Sequence, residues 1–196
     1  MPDQRLAERK SVLRKQLLAA RVSLSVADRR TAGRALRDMV LELPETGMAG
    51  TIAAYISVGS EPETRALLFA LWKRGSYVLL PVMTAANDLD WASYEGPDSL
   101  GPGPHGLLEP TEPVRGTAAI TSADLIIVPA LAADRRGNRL GRGAGCYDRA
   151  LAQVGPAVPT VALLYDHELL DDVPAGPLDQ PVRVVAQPNG GITRLA

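Results

Sequence analysis

The spacing of apolar positions changes character once along the chain, near residue 44. From Arg5 to Arg21, Leu6, Val12-Leu13 and Leu17-Leu18 recur at roughly helical spacing with few breakers, which predicts a first helix. Ser25 is a good N-cap and Asp28, three residues on, resembles a capping box. A second helix is therefore expected to run through Leu36, Met39-Val40 and Leu43 until Pro44 stops it. Beyond it the apolar runs shorten. Thr51–Ser57, Tyr77–Val82, Asp124–Pro129 and Thr160–Tyr165 read as buried strands. Glu63–Arg74, ended by Gly75, and a stretch from about Ala144 to Val154 read as helices among them. This alternation predicts an α/β fold: a three-layer sandwich with a mostly parallel sheet, preceded by the two N-terminal helices. Asp88–Tyr94 and Arg183–Ala186 are candidate additional strands, and Asp166-His167-Glu168 reads as the opening of a short helix.

Composition narrows the class. The 196 residues, 46% hydrophobic and 22% charged, suit one domain spanning 1–196 with a proper core. No apolar run is long enough to cross a bilayer, and the charged Met1–Lys10 lacks a secretory apolar core, so a cytoplasmic protein without a membrane partner is expected. A single cysteine, Cys146, excludes an intrachain disulfide framework and a multi-cysteine zinc site. Nothing demands more than a monomer. The net charge of −1 hides an asymmetry, because residues 1–40 hold ten Lys/Arg against four Asp/Glu. Such a basic segment serves an anionic ligand or forms a solvated helix face. Nucleic acid is not expected as a partner, since the few aromatics show no interleaving with basic residues. Glu95–Gly116, with five prolines and five glycines, is either a binding loop or a surface excursion.

The chemistry concentrates between Asp124 and Arg149. A buried strand ends at Pro129, and Gly141, Gly143 and Gly145 follow at every second position before a helix carrying Asp148 in its first turns. Glycines at that density let backbone N–H groups converge on one anion, and the helix N-terminus adds positive potential. Arg139, Arg142 and Arg149 add charge, and Asp148 is placed to share Mg²⁺ with phosphate oxygens. The loop is not a Walker A, for no GK[ST] follows, and its spacing departs from the dinucleotide fingerprint.

The segment DLIIVPALAADRRGNRLGRGAGCYDRAL resembles the signature DLI-x-VPG-x-AFD-x-x-G-x-RLG-x-G-x-GYYDR of the 5-formyltetrahydrofolate cyclo-ligase family. SEPETRALLFALWKRGSYVLLP is similar to that family's E-x-x-T…G-K-x-V-x-LP stretch, and Lys10 and Arg14 fall on its N-terminal basic pair. The resemblance implies ATP- and Mg²⁺-dependent conversion of 5-formyltetrahydrofolate to 5,10-methenyltetrahydrofolate, with release of ADP and phosphate. It implies that Lys10, Arg14 and Arg139, Leu140, Gly141, Arg142, Gly143, Ala144, Gly145, Cys146 and Tyr147 bind ATP. Glu61 and Arg142 to Cys146 would contact the folate, Asp148 and Asp179 the magnesium, and Lys10, Arg142 and Asp148 would carry catalysis. Three positions depart from the pattern: Cys146 replaces a tyrosine, Val82 an arginine, and Arg183 an aspartate. A divergent paralogue that binds nucleotide or folate without closing the ring, and a sugar-phosphate enzyme on a similar fold, are the rival readings.

Overall fold

The chain is described by a computed structural model over residues 2–195, the side chains of residues 2, 3 and 105 excepted. Two helices open it, α1 (Pro2–Ser23) and α2 (Val26–Glu42). Ser25 caps α2: its hydroxyl accepts the Asp28 N–H at 3.1 Å and donates to the Asp28 carboxylate at 2.6 Å. Pro44 ends α2 and also starts the one-turn helix α3 (Pro44–Met48), because a fixed φ and a missing N–H suit a first helical position.

Strands and helices then alternate as β1 (Thr51–Ala53), α4 (Arg65–Lys73), β2 (Tyr77–Met83) and β3 (Leu89–Ser93). The proline-rich segment forms a small hairpin, β4 (Leu100–Pro102) with β5 (Leu108–Pro110). Next come β6 (Leu125–Pro129), a second hairpin of β7 (Ala132–Asp134) and β8 (Arg139–Leu140), α5 (Cys146–Leu151) and β9 (Thr160–Leu163). The chain ends with β10 (Leu169–Leu170), β11 (Val184–Gln187) and β12 (Gly191–Arg194).

The main sheet has seven strands in the order β12-β11-β9-β6-β1-β2-β3. The five central strands are parallel, and an antiparallel strand closes each edge. Alternate residues face opposite layers. Val78 and Leu80 of β2 pack with Leu36 and Val40 of α2 and Leu67, Leu68 and Leu71 of α4. Leu79 between them packs on the other face with Ile126, Ile120 and the α5 residues Ala150 and Leu151. The three-layer sandwich is therefore as expected, with α2 built into one layer. Helix α1 lies apart from it: Leu17 packs on Leu131, Ala132, Leu140 and Val173, around the small β10-β7-β8 sheet.

Several expectations need correction. The strand expected over Thr51–Ser57 leaves the ladder after Ala53, and α5 covers only six residues where eleven were expected. Asp166-His167-Glu168 opens no helix; the residues turn tightly, with Glu168 N–H donating to Tyr165 O at 3.0 Å, and the Glu168 side chain points inward. Gly137, at φ +86°, turns the β7–β8 hairpin, where a plain loop is expected from the sequence.

Candidate active site

In the sheet order β1 and β6 are neighbours, and chain connections lead away from them in opposite directions. Open α/β sheets bind ligands at the carboxyl ends of strands flanking such a switch point. A cavity of about 470 Å³ lies there, bounded by Tyr55 and Ile56 after β1, Pro129 to Leu131 after β6, α1 and the glycine loop.

All the residues that the family resemblance assigns to ligand contact line this cavity: Lys10, Arg14, Glu61, the run Arg139–Asp148, and Asp179. Lys10 and Arg14, one turn apart, share a face of α1. Arg14 Nε donates to Gly141 O at 2.8 Å, tying helix to loop. Gly143, at φ +111°, packs so closely that a Cβ there would lie 3.2 Å from Arg14 Cζ, so both backbone and contact demand glycine. Gly145, left-handed at φ +70°, starts α5 and leaves its first N–H groups without a side-chain cap.

Three acid–base pairs occupy the site. Lys10 Nζ donates to Asp179 Oδ2 at 2.5 Å, and Gly176 N–H donates to the same oxygen. Arg139 Nη2 donates to Asp148 Oδ1 at 2.7 Å, joined by Gln180 N–H at 3.1 Å, which brings the segment carrying Asp179 beside Asp148. Arg142 Nε donates to Glu61 Oε1 at 2.9 Å, while Val58 N–H donates to Glu61 Oε2 at 2.8 Å. The loop bearing Glu61 is braced from below. Thr64 Oγ1 donates to Tyr55 O and accepts from Ser57 N–H, and Tyr165 Oη donates to Ser60 O.

These environments set protonation. Burial works against ionisation of Asp179, but the hydrogen bonds from Lys10 and Gly176 outweigh it and hold the carboxyl below its ordinary range. Burial, and after it the Glu61 charge, pushes the Tyr147 phenol far up, so it acts only as a neutral group. For a cation, no group of three His, Cys, Asp or Glu side chains converges among the described residues. Asp148 Oδ2 and Asp179 Oδ1 accept no protein hydrogen bond among the described residues. Two carboxylates with an open oxygen each suit magnesium shared with phosphate, not an all-protein cage.

Other residues fall differently. Arg149 does not line the cavity; it donates to Asp88, Asn87 O and Ala144 O, latching the glycine loop to the β2–β3 turn. Val82 and Arg183 also lie outside, Arg183 being exposed, so two of the three departures leave the cavity wall unchanged. Leu107, Leu108 and Glu109 of the proline-rich segment line the cavity, with Glu109 Oε1 accepting from Met83 N–H at 3.1 Å. Arg21 and Tyr55 also line it, and neither was anticipated. Arg21 follows Arg14 by seven residues on the same helix face, a signal that was present in the spacing.

Among the described residues no helix is long and apolar enough to cross a membrane. Sequence comparison places these features among known proteins. The model of the 5-formyltetrahydrofolate cyclo-ligase family matches residues 6–188. A 5-formyltetrahydrofolate cyclo-ligase of Mycolicibacterium smegmatis is 44% identical over 193 residues, covering 95% of this chain and 97% of that protein. One from Escherichia coli K12 is 30% identical over 173 residues, covering 86% and 94%. The solution structure of Aquifex aeolicus 5,10-methenyltetrahydrofolate synthetase superposes with a TM-score of 0.81 at 29% identity, covering 95% of this chain and 92% of that one. A match running through both the α1 basic pair and the glycine loop leaves no doubt of kinship: the chain belongs to the 5-formyltetrahydrofolate cyclo-ligase family.

Proposed function

We propose that this protein is an ATP- and Mg²⁺-dependent ligase that closes 5-formyltetrahydrofolate to 5,10-methenyltetrahydrofolate, releasing ADP and phosphate. The observation that carries the reading is one cavity at the sheet's switch point that gathers a basic helix face, a glycine loop, two carboxylates with open oxygens and Glu61. Lys10, Arg14 and Arg139 neutralise the ATP phosphates, and N–H groups of Gly141 to Tyr147 converge on them. Asp148 and Asp179 hold Mg²⁺, which supplies further neutralisation of the phosphate oxygens when bound. Glu61 accepts parallel N–H bonds from the aminopyrimidinone edge of the folate, as a carboxylate does from arginine.

The formyl oxygen attacks the γ-phosphorus, the bond to the bridging oxygen breaks, and ADP departs. N10 then attacks the activated formyl carbon and loses its proton, and the phosphate leaves with the former formyl oxygen. Neither step needs a protein nucleophile; positioning and charge neutralisation carry phosphoryl transfer. Arg142, on the glycine loop and paired with Glu61, stands where it can serve both folate and phosphate.

The test is a direct assay. Purified protein with 5-formyltetrahydrofolate, ATP and Mg²⁺ should generate the methenyl chromophore, and omission of ATP or addition of EDTA should abolish it. Folded protein that binds ATP yet forms no product would favour a divergent nucleotide- or folate-binding paralogue, with Cys146 the first position to revert.

A further inference from the structure

Arg21 is wholly buried in the wall of the cavity. Its Nε and Nη2 donate to the two oxygens of Glu168 at 2.6 and 2.8 Å, and Nη2 also donates to Ala130 O at 2.6 Å. Nη1 is buried with no partner among the described residues. The same holds for Tyr55 Oη, in the wall contributed by the segment after β1. Buried donors of native proteins almost always have an acceptor, and leaving one unmade, above all on a charged group, is costly. Arg139 Nε, on the arginine that grips Asp148, is a third donor in the same wall without a partner among the described residues. Arg21 Nη1 and Tyr55 Oη, on residues that hold neither Asp148 nor Asp179, call for a ligand acceptor.

Both lie at the Glu61 end. The Arg21 guanidinium sits 5.4 Å from the centre of the Tyr165 ring, and the hydroxyl of that ring donates to Ser60 O, next to Glu61. Burial, and after it the Glu61 carboxylate, raises the Tyr55 phenol well above its ordinary range, so the group stays a donor. Glu168 already neutralises Arg21, so the pair offers a hydrogen bond without a net charge to match. A neutral carbonyl fits this better than a phosphate.

We propose that Arg21 Nη1 and Tyr55 Oη donate to the ring carbonyl oxygen of the substrate's pyrimidinone, beside the amino and N–H groups that Glu61 accepts from. This deepens the reading of the cavity as a folate site and rests on it. One edge of an aminopyrimidinone presents two N–H donors and then a carbonyl acceptor, the complement of a carboxylate followed by two donors. A site built to hydrogen-bond such a group also rejects analogues that lack it.

The experiment compares dissociation constants of 5-formyltetrahydrofolate and of its counterpart with an amino group in place of the ring carbonyl. The proteins are wild type, Tyr55→Phe, and Arg21→Met combined with Glu168→Met, which replaces the buried pair by apolar volume. Tyr55→Phe removes only an unpartnered hydroxyl, so its melting temperature should hold or rise. It should weaken 5-formyltetrahydrofolate about five-fold, and the double variant more, with binding of ATP and of the amino counterpart undiminished. Equal losses for both pteridines, or none, would overturn the assignment. If the double variant does not fold, Tyr55→Phe alone decides. Wild-type protein that binds neither pteridine would overturn the folate reading itself, and this assignment with it.

Discussion

Lys10 and Asp148 test the site one side chain at a time. Lys10→Ala and Asp148→Asn should each lower turnover by about 10²-fold or more while the melting transition persists, because each removes charge neutralisation and not packing. Wild-type rates in either would dismiss the assignment. Arg142→Ala should raise KM for both substrates, since that arginine touches Glu61 and belongs to the glycine loop. Stability against acid also resides in single carboxylates. Burial opposes ionisation of Asp134, Asp166 and Asp179, yet their hydrogen bonds prevail and each is held below its ordinary value. Their contribution is complete above about pH 4, the unfolded value, and is lost as pH falls through the lower folded value. The melting temperature should therefore drop on acidification below about pH 4, and Asp166→Asn should flatten that drop. Among single residues the glycine loop was legible because glycines and charges cluster between Arg139 and Arg149, whereas Lys10, Arg14, Glu61 and Asp179 were legible only through the family resemblance. Arg21 follows Arg14 at helical spacing, but the spacing alone does not tell that its guanidinium is buried against Glu168.

Short elements escaped the sequence for a physical reason. Strands β7, β8 and β10 have two or three residues each, too few for a period to repeat. They are held by what surrounds them: Asp134 alone accepts from the N–H groups of Arg136, Asn138 and Val173. The long runs that form β2, β6, β9, α2 and α4 were legible because each buries a full face. Gly137→Ala should report how firmly the β7–β8 hairpin is held. At φ +86° an added Cβ would lie 2.7 Å from Val182 O, and the loss measured by denaturant titration should be roughly 1–3 kcal/mol. Gly155→Ala, with open space around it, should change stability by less than about 0.5 kcal/mol.

Across the whole molecule, one ion pair outweighs the others. Glu168→Gln leaves the Arg21 charge buried without its counter-charge and should cost about 3–5 kcal/mol. Asp172→Asn, which breaks exposed contacts with Arg9 and Arg136, should cost about 1 kcal/mol or less. Equal midpoints in urea for the two variants would contradict this ranking. Helix α1 owes its seat to partners far along the chain: Ala130, Gly141, Glu168 and Asp179 all accept from it. During synthesis on the ribosome, that helix emerges well before the acids and carbonyls that receive it and waits for them. Five strands of the main sheet precede Asp179, so much of the scaffold can assemble beforehand. The binding site is thus completed late, and a nascent chain arrested before Asp179 would carry a partial framework, short of β11 and β12, with no complete place for a ligand.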